Sequence, residues 1–237
     1  MIKKILLTFF AVLLAVGTAA TMSAFEAHII NVTARLENAL KVVPVTDELD
    51  FGTMFPQEYQ QRAVWLTTSE SFCETNQRRV LNIDYKIVQK PKPIWEQTAE
   101  CLVSAGKQFE DIEEARFYCH QNPSNLDCCY PSLCPYLSKT PTDNDPAPYT
   151  DYGVPAFHDP TATSSIATGT INKDYDQVDE WLIDLASPCF ETRCSQDWPD
   201  FVHSYNPSAN PEDYKVPPEL ESSIFGCDLW FEVTNIY

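Results

Sequence analysis

The sequence predicts an all-β fold, a jelly-roll-like antiparallel β-sandwich with an irregular cysteine-rich insertion and one or two short helices. Apolar and polar residues alternate along segments near both ends of the chain, a period of two that is typical of half-buried strands. Apolar residues make up 44% of the 237 positions, which is enough for a sizeable core. With only 6 glycines and 18 prolines, the connections between strands are expected to be stiff.

Residues 1–24 have the pattern of an export signal. The basic stretch MIKK precedes an apolar run from Ile5 to Val16, and the small residues Gly17, Thr18, Ala19 and Ala20 follow. The apolar run is shorter than a typical membrane-spanning helix, so membrane contact is expected only through an uncleaved signal. We therefore expect a protein that is secreted or held at the cell surface, with residues 25–237 as a single domain.

The predicted core strands fall in residues 25–90 and 163–237. The first runs from Phe25 to Val43, as one long strand or as two that meet near Asn38, and it is followed by a turn at residues 44–48. Five further strands are predicted along the chain: one through Arg62, Val64 and Leu66, then Val80 to Gln89, Ile166 to Ile171, Asp179 to Ala186, and the alternation from Cys227 to Val233. Strong strands at both ends favour an all-β domain with insertions.

Apolar periodicity fades between about residues 94 and 160, where prolines and five cysteines are concentrated. Such a segment buries little apolar area by itself, so we expect disulfides to hold it as an irregular insertion. Residues 111–118 are compatible with two turns of helix. A second short helix is predicted for Asp197 to Tyr205, with Asp197 as its N-cap and Pro199 in its first turn.

Nine cysteines in an exported chain indicate disulfides, and the odd number leaves at least one thiol free or bonded to another molecule. The candidates are Cys73, Cys101, Cys119, Cys128, Cys129, Cys134, Cys189, Cys194 and Cys227. The neighbours Cys128 and Cys129 are expected to have different partners, because a bond between adjacent cysteines is strained. The closely spaced Cys189 and Cys194 should close a small loop. A bridge from Cys227 to one of these two is expected, and a redox trio is the alternative.

A zinc site is the alternative for the cysteines of the insertion, with His120 beside them. The group is Cys119, Cys128, Cys129 and Cys134, and its spacing lacks the paired C-x2-C pattern. The histidines are scattered, at His28, His120, His158 and His203, and none belongs to a His-Glu-x-x-His motif. No nucleophile elbow, P-loop or dinucleotide-binding glycine motif is present. No catalytic residue and no protein metal ligand is predicted from these motifs.

The chain carries 34 acidic and 16 basic residues, a formal charge of −18. This charge argues against nucleic-acid partners and favours divalent cations or basic surfaces. Two runs offer oxygen ligands that suit calcium, although neither has the full EF-hand pattern. They are Asp143, Asn144, Asp145 and Asp151, and then Asp174, Asp176, Asp179 and Glu180. A solvated acidic surface is the alternative, and no other cofactor is predicted.

The order of an export signal, the strand INVTARLENALKVV, a Leu-Asp-Phe-Gly-Thr step and Pro-Gln-Glu resembles the camelysin/TasA-like family. Its members are exported β-sandwich proteins handled by the SipW-type signal peptidase. The resemblance covers residues 1 to about 90 and the final strand DLWFEVTNIY, and Phe51-Gly52 is its most specific step. The aromatic-Ser-Asp segment usual in the family is replaced here by Ala24-Phe25-Glu26.

The resemblance implies a structural protein of the cell surface or of an extracellular biofilm matrix. Several relatives are filament subunits in which the mature N-terminal strand completes the sheet of the next subunit, a form of β-augmentation. The donor would lie within residues 20–32, with Phe25, His28, Ile30 and Val32 as the donor-strand candidates, and pairing within the same domain is the alternative. Some relatives are catalogued as metallopeptidases, and that activity is the weakest expectation here.

A secreted binding module is the second functional hypothesis. In this hypothesis the cysteine-rich insertion is the recognition loop, and its ligand is a glycan or a protein. Exposed members of the tryptophan set would stack on sugars. The five tryptophans are Trp65, Trp95, Trp181, Trp198 and Trp230.

Overall fold

A computed structural model describes residues 40–43, 48–69, 72, 81–142 and 145–237. Seven strands and three α-helices lie in this part of the chain. The strands are β1 (Leu40–Val43), β2 (Tyr59–Thr68), β3 (Asn82–Lys90), β4 (Leu137–Pro141), β5 (Ala167–Asn172), β6 (Val178–Ala186) and β7 (Asp228–Ile236). The helices are α1 (Ala99–Ala105), α2 (Ile112–Gln121) and α3 (Trp198–Tyr205).

The strands form two antiparallel sheets, which confirms the predicted fold class. One sheet has the order β1-β2-β6-β4 and the other has the order β5-β3-β7. The long pairing of β2 with β6 runs from Tyr59 opposite Ala186 to Thr67 opposite Val178. In the other sheet β3 pairs with β5 on one side and with β7 on the other.

The two sheets share one core because their inward positions are apolar. On β3 these positions are Ile83, Tyr85 and Ile87, and on β6 they are Trp181, Ile183 and Leu185, all of them buried. Phe157 lies at the centre of an aromatic group that joins the core to α3. Its ring makes edge contacts with five others, those of Tyr136, Trp198, Phe201, Tyr205 and Tyr214. The predicted helix over residues 197–205 is therefore confirmed and packs on the sandwich.

The insertion is less irregular than predicted. It contains β4, which pairs with β6 at the edge of the four-stranded sheet, and two helices rather than the one expected. Both helices begin at side-chain caps, since Thr98 accepts from the Cys101 amide and Asp111 accepts from the Glu114 amide. The β4 sequence LSKTP was missed because its buried position 139 is a lysine, which breaks the apolar alternation.

Eight of the nine cysteines form four disulfides, and Cys73 lies outside the described residues. The bonds are Cys101–Cys128, Cys119–Cys129, Cys134–Cys227 and Cys189–Cys194. The first two close a small core of the insertion, together with Phe109 and Ala115. Four disulfides are typical of folding in an oxidising compartment outside the cytoplasm.

The separate partners of Cys128 and Cys129 and the small Cys189–Cys194 loop are confirmed. The predicted bridge from Cys227 to that loop is wrong, because Cys227 pairs with Cys134, 93 positions earlier. The zinc alternative is also wrong, because all four of its cysteines are oxidised and offer no thiolate.

None of the helices within the described residues has the length and apolar character needed to span a membrane. The export signal and most of the first predicted strand, including Phe25, His28, Ile30 and Val32, lie outside these residues. Only its last four positions are described, as β1 paired antiparallel with the end of β2.

Candidate functional site

One side of the sandwich is closed by a short backbone segment, residues 152–154. Tyr152 exchanges two backbone hydrogen bonds with Thr168 of β5, at 2.8 and 3.1 Å. Val154 exchanges two with Lys139 of β4, both at 2.8 Å. Because this segment pairs with an edge strand of each sheet, it joins the sheets along the β4 and β5 edges.

The opposite side, between the β1 and β7 edges, has no such closure within the described residues. There β7 pairs with β3 alone, so its second edge presents backbone N–H and C=O groups that no other described strand binds. The strand is nine residues long, none of them fully buried, and Val233 is 42% exposed. A long uncovered edge of this kind is a template for pairing with another chain.

A groove of about 1180 Å³ lies beside the first four residues of β7, Asp228 to Phe231, and reaches between the two sheets. Its apolar lining comes from both sheets and from the loop after residue 48. The contributors are Val42 of β1, Val64 of β2, Leu137 of β4, Ile183 and Leu185 of β6, Leu229 and Phe231 of β7, and Leu49, Phe51 and Met54 of the loop. Apolar side chains at every second position of an added strand would find apolar contacts on this lining.

The outer wall of the groove is the segment from Leu220 to Cys227, which leads directly into β7. Gly226 forms a parallel bridge with Ser132, in which the Leu133 amide donates to the Gly226 carbonyl at 2.9 Å. The Cys134–Cys227 disulfide fixes the end of the wall next to β7. At its other end Arg193 donates to both carboxylate oxygens of Glu221 at 2.7 Å.

Charged side chains lie where the groove meets the insertion. Arg116 of α2 donates to Asp228, the first residue of β7, at 3.0 Å and to Glu113 at 2.6 Å. Lys92 donates to Glu48 across the groove at 3.4 Å. The groove is therefore lined by apolar side chains between the sheets and by charged side chains near the insertion and at Glu221.

The two acidic runs predicted as separate calcium candidates meet in space. Carboxylate oxygens of Asp145, Asp176 and Asp179 lie within 4.8 Å of one another, and the last two residues are buried. Three carboxylates so placed can hold a hard divalent cation through oxygen. Asp143 and Asn144 of the first run lie outside the described residues.

The interior neighbours of this cluster explain part of its position. Tyr85 donates to Asp179 and accepts a 2.7 Å hydrogen bond from Trp181 Nε1. Asp151 lies 3.5 Å from the same phenol oxygen. Burial and the neighbouring Asp179 and Asp151 carboxylates hold the pKa of Tyr85 far above its usual range, so the phenol remains a hydrogen-bond donor.

The histidines within the described residues lie apart. His120 is exposed on α2, and His203 on α3 contacts the Ala209 carbonyl at 3.2 Å. His158 is buried, 2.7 Å from both the Pro155 carbonyl and the Gln89 side-chain oxygen. Burial, reinforced by the Lys139 charge, lowers the pKa of His158 to about 4. His28 lies outside the described residues.

The tryptophans divide between the core and the surface. Trp181 and Trp198 are buried, whereas Trp230 is half-buried beneath the Lys90 ammonium, 3.3 Å from its ring centre. Trp65 and Trp95 are exposed, the first on the outer face of β2 and the second at the start of the insertion. The subset available for stacking therefore consists of these last two.

No protein-family model, curated protein or solved structure matches the chain. The groove and the β7 edge are thus interpreted from geometry alone. Sequence reasoning predicted β7 from its alternation but missed the groove, because its walls come from eight separate parts of the chain. One local feature of the sequence pointed to the wall. Phe225 and Cys227 are apolar and two positions apart, so they continue the alternation of β7 into the wall.

Proposed function

We propose that the protein is an exported structural subunit of the cell surface or extracellular matrix that assembles with copies of itself by strand addition. The observation that carries this proposal is the edge of β7 that no other described strand pairs with, beside a groove whose lining between the sheets is apolar. An added strand would satisfy the backbone groups of β7 and place alternate side chains in the groove. The backbone groups of β7 and the apolar lining of the groove are adjacent on the same side of the sandwich.

The donor in this proposal is the segment before β1, with Phe25, His28, Ile30 and Val32 as its candidate residues. Val42 of β1 lines the groove, and this donor segment precedes β1 in the sequence. A strand rises about 3.3 Å per residue, so a donor of nine residues would match the length of β7. The same segment could instead pair within its own chain, and the size of the particle distinguishes the two arrangements.

Light scattering after size exclusion, together with electron microscopy, tests the proposal on the purified exported protein. We expect oligomers or fibres from the intact chain and monomers from a chain that lacks residues 20–32. A synthetic peptide of residues 25–36 should bind the shortened chain. A monomeric intact protein would contradict the proposal, and fibres that persist without residues 20–32 would exclude this donor.

A secreted binding module is the second candidate function, favoured by the surface of the insertion. Trp95 is 53% exposed, Val103 84% and Phe117 63%, although the insertion has its own core closed by two disulfides. Because these side chains do not complete that core, they are available to a glycan or protein partner.

Glycan-array binding and protein pull-down compare the intact protein with a Trp95→Ala, Phe117→Ala variant. A partner that both proteins retain would argue against the insertion as the binding surface. Tyr175→Ala is the matched control, because Tyr175 is an exposed aromatic residue far along the chain from the insertion.

A further inference from the structure

The wall of the groove has few local means of support. Between Leu220 and Cys227 the described chain has no α-helix and no strand, only the end of one 3-10 turn and a single bridge at Gly226. Its side chains at Ile224 and Glu221 are exposed. A segment of this kind is drawn from the low-stability end of a fold unless other contacts hold it.

Leu220 and Phe225 pack against the main core, and two disulfides add covalent support. Cys134–Cys227 joins the wall to the turn that precedes β4, and it thereby fixes the point at which β7 begins. Cys189–Cys194 closes the small loop that carries Arg193, whose guanidinium binds Glu221 at the far end of the wall. The wall is therefore held at both ends through oxidised cysteines.

We propose that formation of the Cys134–Cys227 bond switches the groove into its strand-accepting state, so that subunits assemble only after they reach an oxidising compartment. This inference rests on the proposed function. The two thiols lose two protons and two electrons to a disulfide oxidant, which is itself reduced to two thiols. Before that step the wall is held by its hydrogen bonds, by the Arg193–Glu221 ion pair and by the packing of Leu220 and Phe225 on the core, with no covalent link to the turn before β4.

The consequence is a separation of export from assembly. In the reducing cytoplasm the chain lacks a rigid acceptor, so donor segments of neighbouring copies find no ordered edge. Outside the cytoplasm the same bond that stabilises the fold completes the acceptor. The Cys101–Cys128 bond lies in the core of the insertion and plays no part in this step.

The test compares two double variants of the exported full chain, both with Cys73→Ser to remove interchain disulfides. In one, Cys134→Ser is combined with Cys227→Ser. In the matched control, Cys101→Ser is combined with Cys128→Ser. Light scattering follows assembly, circular dichroism verifies folding, and hydrogen exchange reports on the amides of residues 220–231.

We expect the control pair to assemble like the Cys73→Ser protein. The Cys134 and Cys227 pair should remain monomeric while folded, with exchange in residues 220–231 faster by about tenfold or more. Normal assembly by this variant, or equal loss in the control, would overturn the inference. Failure of the Cys73→Ser protein itself to assemble, with the wall protected from exchange, would instead overturn the proposed function.

A milder variant keeps the test decisive if the double serine variant does not fold. Glu221→Gln weakens only the Arg193 contact at the exposed end of the wall, and slower assembly is expected. Glu212→Gln is its control, because Glu212 forms a comparable exposed pair with Lys215 at 2.6 Å away from the groove. Equal assembly rates for these two variants would contradict a role for the bracing of the wall.

Discussion

Trp181 of β6 donates its indole N–H to the phenol oxygen of Tyr85 of β3 at 2.7 Å, a hydrogen bond that joins the two sheets within their core. The rings meet edge to face with centroids 6.4 Å apart. Tyr85 in turn donates a hydrogen bond to Asp179, so one buried hydroxyl serves both neighbours. The contact ties the centre of the sandwich to the acidic cluster at its edge.

Replacement of Tyr85 by Phe should destabilise the fold, because Trp181 loses its acceptor and Asp179 loses a donor inside the core. We expect a loss of about 1–3 kcal/mol in the free energy of unfolding, measured in urea. Tyr152→Phe is the control, since Tyr152 is exposed and should change stability little. Equal stability of Tyr85→Phe and the wild type would mean that the hydroxyl contributes nothing.

His158 should make the protein acid-sensitive. Its pKa falls to about 4 through burial and the Lys139 charge, whereas an unfolded histidine titrates near its usual value. The unfolded state therefore binds more protons between these values, and stability is lost as the pH falls from about 6.5 to about 4, by about 3 kcal/mol in all. Urea unfolding across this window should show the loss.

His158→Gln should flatten the acid-side profile, because the variant has no imidazole to protonate on unfolding. His120→Gln should keep the wild-type slope, since that histidine is exposed on α2. Parallel pH profiles for the wild type and His158→Gln would refute this account of the buried imidazole.

Lys139 should make the stability depend on pH in the neutral to alkaline range. The ammonium is buried, donates to the Ser165 carbonyl at 3.1 Å, and has its pKa lowered to about 7 by desolvation. An unfolded lysine still binds a proton well above that pH, so stability should rise as the pH increases from about 7 to about 10.5. Lys139→Met should abolish this rise, and a slope unchanged in Lys139→Met would assign the effect to another group.

The disulfides should differ in their contribution to stability according to the loops that they close. Cys134–Cys227 closes a loop of 93 positions and Cys189–Cys194 one of 5. The chain-entropy relation gives about 4–5 kcal/mol for the long loop and about 2 kcal/mol for the short one. Urea unfolding of the two double serine variants measures the order, and the reverse order would show that native-state packing outweighs loop entropy.

Cys73 should be the cysteine that reacts as a free thiol or forms a disulfide with another chain, because the other eight cysteines pair with one another. Alkylation of the denatured, unreduced chain should add one group, or a reducible dimer should appear on a gel. Cys73→Ser should show neither. A thiol that persists in Cys73→Ser would mean that one of the four disulfides is incompletely formed.

Strands with apolar residues on one face were predictable from the sequence alone. Ile83, Tyr85 and Ile87 alternate with polar residues, and β3 follows that pattern closely. Strand β4 was not predictable in this way, since its inward position is Lys139, whose burial is permitted by neighbours distant in the sequence. Local periodicity indicates the burial that is usual for a residue type. It does not reveal a residue that is buried because of tertiary contacts.

The site was less predictable than the fold. Cys227 was assigned to the nearest cysteines along the chain, yet its partner Cys134 approaches only when the insertion folds back onto β7. The contact between Asp145 and Asp179 likewise joins two runs separated by a complete strand. Both relationships depend on the order of strands in the sheets, which alternation does not specify.

Photo-crosslinking within the assembled protein tests strand addition at β7 most directly. A photoreactive phenylalanine replaces Ile30, and labelled chains are mixed with heavy-isotope chains before assembly, so that mass spectrometry separates crosslinks within a chain from those between chains. We predict crosslinks from position 30 to β7 or to the groove lining of the other isotopic form. Crosslinks confined to a single chain, or directed to the outer face of the four-stranded sheet, would contradict the account.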